Sequence, residues 1–173
     1  MEFAVVDAAP PIGGQLRYDQ RGLSFDFRPA DPDMARRGGQ AVELAFGSMA
    51  LQVDRDSAEL LGAWGYHPDA GWLSGSLGSP NAVAGRLKAH LPEVPPRGVS
   101  PRLVRAGDLT TIRDSRTGWI RVGRTGVPTG TRFVEFATGC LAELAGGDLV
   151  ALWLRPTTPA PAPPPPEPPA GTR

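Results

Sequence analysis

The stretch Thr131 to Pro156, TRFVEFATGCLAELAGGDLVALWLRP, decides the fold class. Two apolar runs, Phe133 to Leu144 and Leu149 to Leu154, flank Ala145-Gly146-Gly147-Asp148. A Gly-Gly pair supplies the positive φ angles that a tight hairpin turn requires, so the spacing predicts a β-hairpin. In the first run the even positions carry Val134, Phe136, Thr138, Cys140, Ala142 and Leu144, while Glu135 and Glu143 fall on odd ones. That alternation predicts one long strand with a buried face and a partly wet one. The return run is apolar at every position, as a central strand covered on both sides should be.

Working outward, the same grammar recurs between Ala41 and Asp54. Val42, Leu44 and Phe46 alternate on the way in, Met49, Leu51 and Val53 on the way out, and Gly47-Ser48 lies between them. A two-residue turn places Phe46 opposite Met49, Leu44 opposite Leu51 and Val42 opposite Val53, so all six share one face. Asp54-Arg55-Asp56-Ser57 reads as the next turn, leading into a strand over Leu60 to Tyr66. Asp19-Gln20-Arg21-Gly22 joins Leu16-Arg17-Tyr18 to Leu23-Phe27, and a longer loop over Arg113 to Gly118 joins Leu109-Ile112 to Trp119-Val122. Phe3 to Val6 is a short strand. Pro29 to Gly39 is broken by Pro29, Pro32 and Gly38-Gly39 and reads as a loop. Ser79-Pro80 reads as the start of one short helix near residues 80–90, with Val83, Leu87 and Leu91 every fourth residue and Pro92 at its end.

Two stretches also align, Phe46-Gly47-Ser48-Met49-Ala50-Leu51 with Phe136-Ala137-Thr138-Gly139-Cys140-Leu141, and Trp64 and Trp153 follow at 18 and 17 residues. A true repeat requires the two tryptophans to occupy equivalent places.

Composition bounds the rest. A chain of 173 residues with 40% hydrophobic content suits one domain, residues 1–156. Nine of its 20 prolines fall between Pro156 and Pro169, so residues 157–173 read as a proline-rich tail, extended or disordered. Formal charge is zero, which removes a global field for nucleic acid or an anionic membrane. The balance is uneven: Arg97 to Arg132 holds eight arginines against Asp108 and Asp114, a net +6. Cys140 is the single cysteine, so no intramolecular disulfide forms. Met1 to Gly14 lacks the pattern of a signal peptide, and no run reaches the roughly 18 apolar residues of a membrane helix. The expectation is a soluble cytoplasmic protein.

Catalytic motifs are absent from the sequence. His67 and His90 have no partner at a metal-ligand spacing, and Cys140 has no neighbouring base, so neither a metal site nor a cofactor is expected. His67 lies where a strand runs into a loop, and Asp69 or Asp54 could complete an acid-base pair with it. Gly75 to Pro80 lacks the spacing of a phosphate-binding loop. Arg113, Arg116, Arg121 and Arg124 surround Trp119, a grouping that could hold phosphates while a base stacks on the ring.

These readings predict a mainly β chain, an antiparallel meander of about nine to eleven strands forming a sandwich or small barrel. Its expected role is that of a non-enzymatic protein-binding domain, an immunity-type inhibitor being one form of it. Two alternatives stay open: a small hydrolase-like enzyme built on loops around His67, Tyr66 and the Asp54 to Glu59 turn, and nucleic-acid binding through Arg97 to Arg132.

Overall fold

The computed structural model describes residues 1–6, 9–96, 98–126 and 130–157. Most of the proline-rich segment, from residue 158, lies outside the described residues, as does Arg97. The chain is mainly β, as the alternating patterns predict. Strands β1 (Phe3–Val6), β2 (Gly14–Asp19) and β3 (Ser24–Pro29) precede helix α1 (Pro32–Gly38). Next come β4 (Val42–Phe46), β5 (Met49–Val53), β6 (Leu60–Tyr66), β7 (Leu73–Ser74), β8 (Ala82–Ala84), β9 (Arg86–Ala89) and β10 (Arg102–Val104). The last five are β11 (Thr110–Arg113), β12 (Ile120–Gly123), β13 (Arg132–Ala137), β14 (Cys140–Ala145) and β15 (Asp148–Leu154).

They form a six-stranded sheet in the order β10-β4-β5-β6-β3-β2 and a seven-stranded sheet in the order β7-β11-β12-β15-β14-β13-β8, with β1 and β9 paired apart. The two large sheets share one apolar layer. Val42, Leu44, Phe46, Met49, Leu51 and Val53 from the first meet Val122, Val134, Phe136, Ala142, Leu152 and Leu154 from the second. The predicted six-residue face is therefore the inner face of one sheet, in the predicted register, Phe46 opposite Met49 through Val42 opposite Val53. β15 lies between β12 and β14 and is buried on both faces from Leu149 to Leu154, as its unbroken apolar run requires. Gly146 and Gly147 both have positive φ, +58° and +93°, at the β14-β15 turn.

Four expectations are corrected. The run Phe133 to Leu144 is not one strand: it turns back at Thr138-Gly139, where Gly139 has φ +74°. Even-numbered Val134, Phe136, Cys140 and Ala142 stay on the inner face across a two-residue turn, so alternation alone conceals the reversal. Glu143 is 1% exposed, so the other face is covered rather than wet there.

No helix forms near 80–90; β8 and β9 occupy that stretch. A spacing of four fits a period of two as well as one of 3.6, and Leu87 and Ala89 alternate into the core. The stretch before β8 is extended too, since Ser74 and Ala82 lie in opposite edge strands of the seven-stranded sheet and the residues between them cross it.

The helix of this chain instead begins in the stretch read as a loop. Asp31 caps it by accepting from the Asp33 N–H at 2.8 Å, and Pro32 opens its first turn, so the proline starts the helix rather than breaking it.

Finally, the topology is more than an antiparallel meander. There are fifteen strands among the described residues, and β10-β4, β11-β7 and β13-β8 pair in parallel. Two- and three-residue strands such as β7, β8 and β10 are too short to leave a periodic signature.

Two antiparallel units, β4-β5-β6 and β13-β14-β15, occupy the middle of the two sheets. Trp64 pairs with Ala50, the residue after Met49 that closes the first turn, and Trp153 pairs with Leu141, the residue after Cys140 that closes the second. The two tryptophans thus hold corresponding register positions, both on the outer side of their sheets.

Candidate functional site

His67 is held at the end of β6 by both sheets. Its Nδ1 lies 3.0 Å from Ser48 Oγ in the β4-β5 turn, and its Nε2 lies 2.8 Å from Thr111 Oγ1 on β11. A neutral imidazole offers one donor and one acceptor, and two hydroxyls satisfy both. Phe25 and Trp72 pack beside the ring, and burial pushes its pKa down. The Tyr18 hydroxyl donates to the His67 carbonyl at 3.1 Å; burial, then the nearby Asp69 charge, pushes the phenol pKa up. The contacts of His67 describe a pin between sheets.

The carboxylates named with it are elsewhere. Asp54 lies beyond the opposite end of β5 from Ser48, about 20 Å along the strand. It is bound by Arg37 and by the Ser57 hydroxyl and N–H. Burial pushes its pKa up, but these hydrogen bonds outweigh that and hold the carboxyl below the usual range. Asp69 is exposed in a 3-10 turn and borders a hollow of about 300 Å³ with Tyr18, Trp72 and Arg113. Among the described residues no carboxylate hydrogen-bonds the His67 ring, and no group of three His, Cys, Asp or Glu side chains could hold a metal ion. Cys140 is fully buried, and burial pushes its thiol pKa far up, which leaves no thiolate nucleophile.

The arginine grouping is dispersed. Arg113, Arg116 and Arg124 are exposed, but Trp119 is only 6% exposed, in a second apolar cluster with Leu77, Leu141, Ala151 and Trp153, and the Arg155 guanidinium lies 4.7 Å over its ring. Arg121 is buried too. Its Nε donates to Glu143 Oε2 at 3.0 Å, and the Trp153 indole N–H donates to the same oxygen at 2.8 Å. One charge and the one aromatic of the grouping are thus committed to the interior.

That second cluster is the covered outer face of the seven-stranded sheet. Residues 75–81 run across it as an extended strap, with Leu77 pressed into the cluster and the Leu77 N–H donated to Asp114 Oδ2 at 2.9 Å. That bond, with the N–H groups of Arg116 and Thr117, holds the Asp114 carboxyl below its ordinary pKa.

No family model, curated protein or solved structure matches this chain. The site therefore rests on its own geometry.

The outer face of the six-stranded sheet has no such strap. On β6, Trp64 and Tyr66 point away from the core and are 40% and 57% exposed. Across the sheet Trp64 lies opposite Asp26, and Asp26 opposite Arg17; Tyr66 lies opposite Ser24. Arg28 pairs with Asp26 at 2.6 Å, and Arg17 Nε donates to Gln15. Arg17, Ser24, Asp26, Arg28, Trp64 and Tyr66 line an open groove of about 930 Å³. Helix α1 packs against β3 and β6 at the far end, Gly38 lying beside Gln52. Sequence reasoning placed Trp64 in a repeat and Tyr66 beside His67 but did not join them to Arg17 and Arg28. The signal was present: in Leu60 to Tyr66 the last outward positions are aromatic, where a wet face calls for polar residues.

Proposed function

We propose that this protein is a non-enzymatic interaction domain that docks a protein partner on the outer face of the six-stranded sheet. The observation that carries the reading is the pair Trp64 and Tyr66, left 40% and 57% exposed on a sheet face flanked by Arg17 and Arg28. Trp, Tyr and Arg are the side chains that dominate binding energy at protein interfaces, and an exposed aromatic patch bordered by charge is how such interfaces are built. The chemistry around His67 supports the same reading. A histidine that activates a serine is oriented and charge-stabilised by a third group, usually a carboxylate, whereas the second ring nitrogen of His67 faces the Thr111 hydroxyl.

The test is comparative capture. Tagged full-length chain and its Trp64→Ala and Tyr66→Ala variants are incubated with native cell extract, and retained proteins are identified by mass spectrometry. A protein retained stoichiometrically by the wild type should lose about 30-fold or more in affinity with Trp64→Ala, the scale of a central aromatic anchor. Equal retention by wild type and both variants, with unchanged circular dichroism, would remove this face from the interaction.

A further inference from the structure

The chain itself carries a segment whose chemistry matches the groove. Between Pro159 and Pro169 eight residues are proline, with Glu167 the one acidic group among them. Such sequences favour polyproline II, which exposes flat pyrrolidine faces at low entropic cost and is recognised by aromatic-lined grooves.

The described chain leads toward that groove. Pro156 borders the hollow that Tyr18 and Trp72 also line. The Thr157 N–H and hydroxyl both donate to the Leu16 carbonyl, at 3.0 and 3.1 Å, on the open edge of β2. Leu16 immediately precedes Arg17, which lines the groove, and Tyr18 borders both hollows. From β2 to β6 is two strand spacings, about 10 Å, whereas eleven residues of polyproline II extend about 34 Å.

Trp64 and Tyr66, two residues apart on one strand, are separated by about 7 Å and both line the groove. Arg17, Arg21 and Arg28 against Asp19 and Asp26 leave the groove with one surplus positive charge, complementary to Glu167 within the proline run, while Arg173 lies four residues beyond Pro169.

We propose that the groove over Trp64 and Tyr66 is the docking site of the chain's own proline-rich segment, residues 158–173, which a protein partner has to displace. This rests on the reading of the same face as a protein-docking surface. Tethering makes weak contact sufficient: a short linker gives an effective concentration on the order of millimolar.

The experiment compares ¹⁵N-labelled wild-type chain with a full-length variant in which every proline from Pro159 to Pro169 is replaced by serine. Four indole N–H signals report, one per tryptophan. The Trp64 signal should move between the two proteins while those of Trp119 and Trp153 stay in place. A synthetic peptide of residues 158–173 added to the variant should return the Trp64 signal toward its wild-type position, and Trp64→Ala should abolish the response of the other groove residues. Superposable Trp64 signals would overturn the inference. So would a difference that disappears on dilution, since the segment would then come from another copy. Partner capture separates this from the wider reading: a partner that needs Trp64, with superposable signals, defeats the tethered segment alone, whereas segment docking with no partner retained by the serine variant defeats the interaction reading alone.

Discussion

The two central units, β4-β5-β6 and β13-β14-β15, are built alike and finished differently. Each turns twice, fills the shared core with its inner face and places one tryptophan at the same register on its outer face. Over Trp153 the chain lays the 75–81 strap, buries Glu143 and Arg121 as a pair, and seals the layer with Leu77 and Trp119. Over Trp64 it lays nothing within the described residues. The same framework therefore serves stability on one side and leaves a surface on the other.

Substitutions can break or sharpen this contrast. Trp153→Ala should have the largest effect, about 3–5 kcal/mol in denaturant unfolding, because it opens a cavity in a sealed layer and leaves Glu143 with one donor fewer. Glu143→Ala should cost a similar amount, about 3–5 kcal/mol, since Arg121 would stay buried without its counter-charge. Leu77→Ala should cost about 2 kcal/mol, the low end for a buried leucine, because the strap lies near the surface. At the other unit, Trp64→Ala should change stability by no more than about 0.5 kcal/mol. Equal losses for Trp64→Ala and Trp153→Ala in the same unfolding series would show that the two faces are finished alike.

A pH effect sharpens the contrast from within the core. The folded His67 has its pKa pushed below the ordinary value near 6.5 by burial, so at acid pH the unfolded chain takes up the proton first. Stability should hold above about pH 6.5 and fall as the pH drops below it, a dependence that urea midpoints read directly. His67→Asn should flatten that part of the profile; an unchanged slope would assign it to other groups.

Much of the framework was legible from residues alone. The β4-β5 register followed from six alternating side chains and Gly47-Ser48, and the place of β15 from an unbroken apolar run. The features that stayed hidden have specific causes. The Thr138-Gly139 reversal preserves inner-face parity, Pro32 is as much a helix opener as a strand breaker, and Val83-Leu87-Leu91 satisfies two periods at once. The site was less legible. Arg121 and Arg124 differ by three residues in sequence yet lie one inside and one outside, and only strand pairing shows that Arg17, Asp26 and Trp64 form a row across the sheet.

The strap also carries a consequence for the order of assembly. β7 and β8 pair with β11 and β13, strands that lie dozens of residues further along the chain, so during synthesis the segment emerges before any part of the sheet it must cross. Contacts of such long sequence separation are formed slowly. Leu77 is then a group that must wait for its partners, and in the interval before β11 to β15 have come together the sealed face of the finished protein is an open one. This places the period of greatest exposure to aggregation late in folding, at the sheet that ends up better protected.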